Sequence, residues 1–254
     1  MSLEALLADL CDGAPHPLAE PLAHWMAGSR RFAAFAQTHR TTIRKKLRGV
    51  RGDAEAARDL AGEMETARWL LRERRFAVVY ESGVVGAARS PDLAVRFTTR
   101  FTFNVEVTWR RPSLEGATPP DPDTASREPL RRWSDVICAK LGQLVPHQIN
   151  LVCVVVDGQA FAEATDLSAA MAHLVARARS GDERVCARHG YRTRAEFQRA
   201  YQRLSGVLVR VPDAADREPV PPVLWLSPEA RVPLPAPAAA AILSAGAPAA
   251  QRTK

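Results

Sequence analysis

The stretch that decides the fold is PDLAVRFTTRFTFNVEVT, residues 91–108. Two runs within and just beyond it, Leu93 to Phe97 and Phe101 to Trp109, alternate apolar side chains with others. Strict alternation is typical of a half-buried β-strand, so the stretch predicts a hairpin turning at Thr98-Thr99-Arg100. Successive side chains of a strand point to opposite faces. In the second run, one face carries Phe101, Phe103, Val105 and Val107, and the other carries Thr102, Asn104, Glu106 and Thr108.

Two acidic residues stand on this hairpin. Asp92 opens the first run, and thirteen residues separate it from Glu106 in the second. A two-residue turn would pair position 92 with position 107 and place the acids on opposite faces, because a shift of one residue moves a side chain to the other face. A three-residue turn or a bulge brings both acids to one face. We predict the shifted register, or a departure from the ladder at Asp92 helped by Pro91.

Two carboxylates that meet at a sheet edge repel each other unless a cation lies between them. Oxygen ligands of this kind suit Mg²⁺ or Mn²⁺, with water and substrate phosphate completing the shell. Such an ion lowers the pKa of a bound water and neutralises charge during phosphoryl transfer. The sequence therefore predicts a metal site formed by Asp92 and Glu106, with the carbonyl of the adjoining Val107 as a further ligand.

The elements around the hairpin predict an α/β fold with a mixed sheet flanked by helices. A helix at Asp53 to Arg74 and a strand at Phe76 to Tyr80 precede it, and a Pro-rich loop at Pro112 to Pro129 follows it. The predicted order is helix, three-strand meander, helix and buried strand, and further elements follow these. After the meander, helices are predicted at Leu130–Leu144, Asp166–Arg179 and Arg194–Leu204, and strands at Asn150–Val156, Gly206–Val211 and Val223–Leu226.

The helix predicted at Asp53 to Arg74 carries an acid on its apolar stripe. Glu63 shares a face with Leu60 and Ala67 at helical spacing. A buried carboxylate needs a cation, a proton or hydrogen bonds, because its burial alone is costly. The alternative is that Glu63 lies at the margin of the buried face and pairs with Arg74 or a similar cation. Glu65 points about 160° away at 100° per residue, and we expect it to be solvated.

These features together resemble the PD-(D/E)XK, or restriction-endonuclease-like, nuclease superfamily. The resemblance covers residues 53–156 and rests on Pro91-Asp92, Glu106-Val107-Thr108 and the preceding helix with Glu63. The sequence of residues 100–108 is similar to that of uncharacterised bacterial members. The resemblance implies a restriction-endonuclease-like core and Mg²⁺- or Mn²⁺-dependent hydrolysis of phosphodiester bonds in nucleic acid, DNA more than RNA.

The resemblance also implies roles by position: Asp92 and Glu106 hold the metal, and Glu63 matches the helix glutamate that some members use. Thr108 stands where the family has a lysine and cannot supply a cation. Some members recruit a basic residue from elsewhere. Lys140, one helical turn before Gln143, is the first candidate, and Arg110 is the second. A solvated Lys140, and a catalytically inactive binding or interaction module on the same fold, are the alternatives.

Charge and composition favour an anionic partner. The net charge is +7, the isoelectric point is about 9.7, and residues 30–51 contain no acidic residue. This amphipathic basic stretch predicts one helix or a helix pair that binds a nucleic-acid backbone, with a solvated cationic face as the alternative. The residues expected to bind nucleic acid are Arg40, Arg44, Lys45, Lys46, Arg48 and Arg110.

Three segments are predicted along the chain: a helical basic N-terminal extension at 1–52, the nuclease-like α/β domain at 53–227, and a Pro/Ala-rich tail at 228–254 with a weak helix near Ala238 to Ser244. The four cysteines show no CxxC spacing, and no secretory signal or membrane-spanning run is visible. These features predict a cytoplasmic protein without a membrane partner. They leave the oligomeric state open, a dimer included.

Overall fold

The computed structural model describes residues 1–81, 90–99, 101–110, 128–156, 167–180, 183–213 and 220–246. Within these ranges the chain forms ten helices and one six-stranded sheet. Most of the predicted loop at Pro112 to Pro129 lies outside the described residues, and Glu128 already begins a helix. No helix of the described ranges is long and apolar enough to cross a membrane.

The elements follow the predicted order closely. The strands are β1 (Phe76–Tyr80), β2 (Leu93–Phe97), β3 (Phe101–Trp109), β4 (Ile149–Val155), β5 (Gly206–Arg210) and β6 (Val223–Leu226). The helices are α1 (Leu3–Leu10), α2 (Ala19–Gly28), α3 (Arg30–Thr38), α4 (Arg40–Gly49), α5 (Ala54–Leu70), α6 (Glu128–Leu141), α7 (Leu167–Arg179), α8 (Glu183–Arg188), α9 (Arg194–Tyr201) and α10 (Ala236–Ala245).

The register of the hairpin is the one that brings the two acids together. Phe97 pairs with Phe101, so residues 98–100 form a three-residue connection, and Thr98 adopts a φ of 58°. Leu93 pairs with Val105. One step further along the same register, position 92 stands opposite position 106. The predicted shifted register is therefore confirmed.

The sheet is mixed, as predicted, with the strand order β1-β2-β3-β4-β5-β6. β1, β2 and β3 are antiparallel neighbours, β3, β4 and β5 run parallel, and β6 is antiparallel to β5. Every residue of β4 is buried, because helices cover both faces of the sheet at its centre. The α/β class of the sequence prediction is confirmed.

Two apolar cores lie on opposite faces of the sheet. On one face, Leu151 and Cys153 belong to the core that contains α5, the N-terminal helices and α10. On the other face, Val152 and Val154 belong to the core of α6, α7 and α9. Adjacent residues of β4 thus enter different cores, as the alternation of a strand requires.

The N-terminal and C-terminal segments belong to the first core. Phe32 and Ile43 from the predicted N-terminal extension, and Ala238 and Ile242 from the predicted tail, are completely buried in it. The basic stretch forms the expected helix pair, α3 and α4. Residues 1–52 and the described part of the tail, 228–246, therefore share one hydrophobic core with the strands, and the tail helix α10 is longer than predicted.

The prediction for Glu65 was wrong. Its residue is 3% exposed, and its carboxylate pairs with Arg210 of β5 and lies 3.3 Å from Arg68. Burial alone would raise the pKa of Glu65, but the two guanidinium groups outweigh it and lower that pKa. The reason for the error is that α5 is covered on more than one side, so a single apolar stripe does not describe its buried surface.

Candidate active site

The carboxylate of Asp92 occupies the end of the β2–β3 ladder. β2 begins at Leu93, and Asp92 Oδ2 accepts a hydrogen bond of 2.8 Å from the backbone N–H of Val107. The N–H and C=O of one strand residue point to the same side. The carbonyl of Val107 therefore points toward the same side of β3 as Asp92. This is the carbonyl that the sequence predicted as a metal ligand.

Glu106 is a nearly buried acid beside Asp92. Its side chain is 4% exposed. Burial, together with the nearby carboxylate of Asp92, raises the pKa of Glu106 to about 8, although Lys140 opposes the change. Glu106 therefore holds a proton at neutral pH unless a further cation comes close.

Lys140 of α6 reaches both acids. Its Nζ lies 3.9 Å from Asp92 Oδ2 and 3.9 Å from Glu106 Oε2, and it donates a hydrogen bond of 3.2 Å to Gln143 Oε1. Trp133 and Ile137 are completely buried and pack α6 onto the sheet. Lys140 follows Ile137 by three residues, so it emerges at the flank of that packed face, over the acids.

Thr108 lies two residues beyond Glu106 and on the same face of β3. It is half-buried and pairs with Val154 in the ladder. Its hydroxyl carries no charge, and the ammonium that lies against Asp92 and Glu106 is that of Lys140 from α6. Lys140, predicted to replace the lysine that is absent at position 108, therefore lies against Glu106, two residues before Thr108.

Glu63 joins the same electrostatic cluster from α5. Its Oε2 accepts hydrogen bonds from Lys46 Nζ at 2.7 Å and from the Tyr80 hydroxyl at 2.5 Å. Burial and the charge of Asp92 raise the pKa of Glu63, and Lys46 opposes them. Glu63 thus has the cation and the hydrogen bonds that its burial was expected to require, and the cation is Lys46 where the alternative named Arg74 or a similar residue.

Lys46 was predicted to bind nucleic acid, but in the structure it turns inward. Its Nζ also lies 2.9 Å from Glu81 Oε1 and 4.9 Å from the centre of the Tyr80 ring. Lys46 and Tyr80 both belong to this site, and neither was assigned to it from the sequence. Their contacts with Glu63 each span 17 residues, so no helical or strand spacing indicates them.

The other predicted nucleic-acid residues are placed differently from one another. Arg44 lies 3.0 Å from Asp9, and Arg48 lies 2.5 Å from Asp12, so α1 and the turn after it compensate part of the basic stretch. Arg40 and Lys45 are exposed.

Arg110 is not a surface contact. It is 5% exposed, and its guanidinium lies 4.8 Å over the ring of Trp133. This burial corrects the expectation that Arg110 touches a nucleic-acid backbone directly. The reason is that the strand leads into the space beneath α6, where Trp133 covers the side chain.

The donors at the hairpin fit a divalent cation in part. In the described ranges, no group of three or more His, Cys, Asp or Glu side chains is arranged to hold a metal ion. The available donors are Asp92, Glu106 and the carbonyl of Val107. Mg²⁺ is commonly bound by one or two carboxylates, with water and phosphate oxygens completing its shell.

No protein-family model matches this sequence, and no curated protein or solved structure matches it. The fold and the site define an α/β protein with a six-stranded mixed sheet and a lysine-bridged acidic pair at the end of its hairpin. Its function has to be inferred from the geometry of these side chains.

Proposed function

We propose that the protein is a metal-dependent nuclease of the PD-(D/E)XK, restriction-endonuclease-like superfamily. It would hydrolyse phosphodiester bonds in nucleic acid, DNA more readily than RNA, with Mg²⁺ or Mn²⁺. The observation that carries the proposal is Lys140 Nζ at 3.9 Å from both Asp92 and Glu106. The element order α5, β1 to β3, α6, β4 also agrees with the core of that superfamily.

The chemistry required is the attack of water on phosphorus. A P–O bond forms to the water oxygen, one P–O ester bond breaks, and the departing oxygen takes up a proton. Asp92, Glu106 and the carbonyl of Val107 would hold the ion, which acidifies water and neutralises charge at phosphorus when it is bound. The ammonium of Lys140 is positioned to orient the water and to stabilise the extra negative charge.

Glu63 has a supporting role in this proposal. Its contacts with Lys46 and Tyr80 hold a third carboxyl group near Asp92. Such a group orders water and counters the positive charge of the lysines without touching the phosphorus. Glu63 is therefore proposed as a positioning residue, not as a metal ligand.

The exposed residues Arg40 and Lys45 supply the proposed contacts with substrate. They lie on α4, the helix that sends Lys46 into the site, so phosphates bound there would lie near the acids. Contacts to phosphate carry no sequence information by themselves and weaken as salt rises. Binding is expected to be salt-sensitive and to have little sequence preference.

The proposal is tested by nicking assays on supercoiled, linear and single-stranded DNA and on RNA, with Mg²⁺ or Mn²⁺ titrated. Glu106→Gln and Lys140→Met should each lower cleavage at least a hundredfold. Glu20→Gln, the same chemical change at an exposed position of α2, is the control and should cleave like the wild type. Cleavage by Glu106→Gln at the wild-type rate would refute the assignment.

A second candidate function is a catalytically inactive nucleic-acid-binding or protein-interaction module on the same fold. Two lysines, Lys46 and Lys140, already lie against the acids and offset part of their charge. The same assays separate the two functions, because the inactive module would bind nucleic acid without any cleavage that depends on the metal.

A further inference from the structure

A pocket lies where the loop after α6 meets α9 and the segment before α10. Its volume is about 80 Å³. One water occupies about 30 Å³ in the liquid, so the pocket has room for two or three waters or for a group of similar size. The lining includes His147, Gln148, Arg199, Gln202, Arg203 and Arg231.

The charge of this pocket is positive and is not balanced within it. None of the described residues that line it is an Asp or a Glu. Its three guanidinium groups bond to neutral acceptors: Arg199 Nε to Ala195 O at 3.2 Å, Arg203 to Leu144 O at 3.4 Å, and Arg231 Nε to the Gln202 side chain at 3.1 Å. An arginine has five N–H donors, so most of these donors remain available.

The walls of the pocket are held in place by a buried polar network. Asn150 is 1% exposed and donates hydrogen bonds to the carbonyls of Val145, Gln148 and Arg203. Ser205 accepts from the backbone N–H of Asn150 and donates to the carbonyl of Val232. The arginines are thus brought together by bonds that need no ligand, and a preorganised site loses less free energy when it binds.

The backbone of the loop is strained at the same place. His147 has a φ of 60°, in the left-handed region that residues other than glycine rarely adopt. Such strain persists where the surrounding structure enforces it, and it concentrates at binding sites. The buried network around Asn150 supplies that enforcement on both sides of His147.

The pocket is linked to the acidic site. The side chain of Gln148 accepts a hydrogen bond of 2.9 Å from Asn104. Asn104 precedes Glu106 by two residues on the same face of β3, a step of about 7 Å along the strand. Asn104 and Glu106 are both buried, so this hydrogen bond joins the lining of the pocket to the strand that carries Glu106.

We propose that this pocket binds a phosphate group. Clustered guanidinium groups bind tetrahedral oxyanions through paired N–H···O bonds and hold their charge at every physiological pH. The phosphate can belong to a nucleic acid or to a free phosphate ion. The first source rests on the proposed nuclease function, whereas phosphate binding itself does not.

Inorganic phosphate is the direct probe, titrated by calorimetry against the whole protein at constant ionic strength. In the Arg203→Gln/Arg231→Gln variant the Kd should rise at least tenfold. Arg192→Gln removes the same charge from an exposed position outside the pocket and should leave the Kd unchanged. Arg199→Gln, an exposed side chain, provides a second test if the double variant folds poorly. Absence of phosphate binding, or equal binding by the double variant and the wild type, would overturn the proposal.

Short oligonucleotides with and without a 5′-phosphate distinguish the sources. Weaker binding of both oligonucleotides by the double variant would identify a backbone phosphate, and weaker binding of only the phosphorylated one would identify a terminal phosphate. An unchanged affinity for both, with phosphate binding lost, would identify a free ion. Glu106→Gln should retain phosphate binding, so failure of the nuclease proposal can be recognised separately.

Discussion

Replacing Glu106 with glutamine should make the stability of the protein less dependent on pH. The pKa of Glu106 is about 8 in the folded protein, against an ordinary value of 4.5. Between these values the folded state holds a proton that the unfolded state has lost. The free energy of unfolding therefore falls as pH rises from 4.5 to 8, by about 1.4 kcal/mol per pH unit.

The full penalty is about 5 kcal/mol once the pH exceeds 8, from the same 1.4 kcal/mol for each tenfold change in proton affinity. Asp92 shares this charge repulsion, so substitution of Glu106 alone should recover about 2–5 kcal/mol. Below pH 4.5 both states are protonated and the effect disappears. Glutamine keeps the shape of the protonated acid and cannot ionise.

The measurement is urea unfolding from pH 5 to pH 9 in the presence of a chelator. We expect the free energy of unfolding of Glu106→Gln to decline less steeply than that of the wild type, and the variant to be the more stable protein at pH 9. Glu20→Gln should follow the wild-type curve, because that carboxylate is exposed. Parallel curves for Glu106→Gln and the wild type between pH 5 and pH 8 would refute the reasoning.

Three further results are expected. At pH 7, Mg²⁺ binding should release about 0.9 proton from the wild type, because a carboxyl of pKa about 8 is mostly protonated there and a metal ligand is not; calorimetry in two buffers of different ionisation enthalpy measures this, and Glu106→Gln should release none. Arg210→Met leaves the buried Glu65 without its main partner and should lower the free energy of unfolding by about 3 kcal/mol in urea titrations, whereas adding Glu65→Gln should restore much of it. Tyr80→Phe removes a hydroxyl that donates to Glu63 and should cost about 1–3 kcal/mol; a loss below 0.5 kcal/mol would contradict that bond.

Local patterns were sufficient where a feature depends on neighbouring residues. The alternation of apolar and other side chains predicted β2 and β3 with the bounds that the structure shows. A connection of three residues sets the register of Asp92 against Glu106. Helical spacing placed Lys140 on the helix that covers β3. The bounds of β2 and β3 needed only the period of a strand, whereas the choice of Lys140 as the cation also rested on the resemblance to the nuclease superfamily.

Features that depend on contacts between residues far apart in the chain could not be predicted from local patterns. Glu65 meets Arg210 across 145 residues of chain, and Lys46 meets Glu63 through the packing of α4 against α5. Periodicity describes one face of a helix, whereas α5 is buried on several sides by elements from both ends of the chain. The inward turn of Lys46 and the burial of Glu65 are consequences of that assembly.

The division of the site between a strand and a helix affects how related chains can be recognised. The carboxylates lie on the hairpin, and the ammonium of Lys140 reaches them from α6, more than thirty positions later in the chain. Under the proposed nuclease function, a signature restricted to β3 would read Thr108 as a missing lysine and discard such a chain. A signature that joins the acids of the hairpin with a basic residue on the sheet-facing flank of the next helix would retain it.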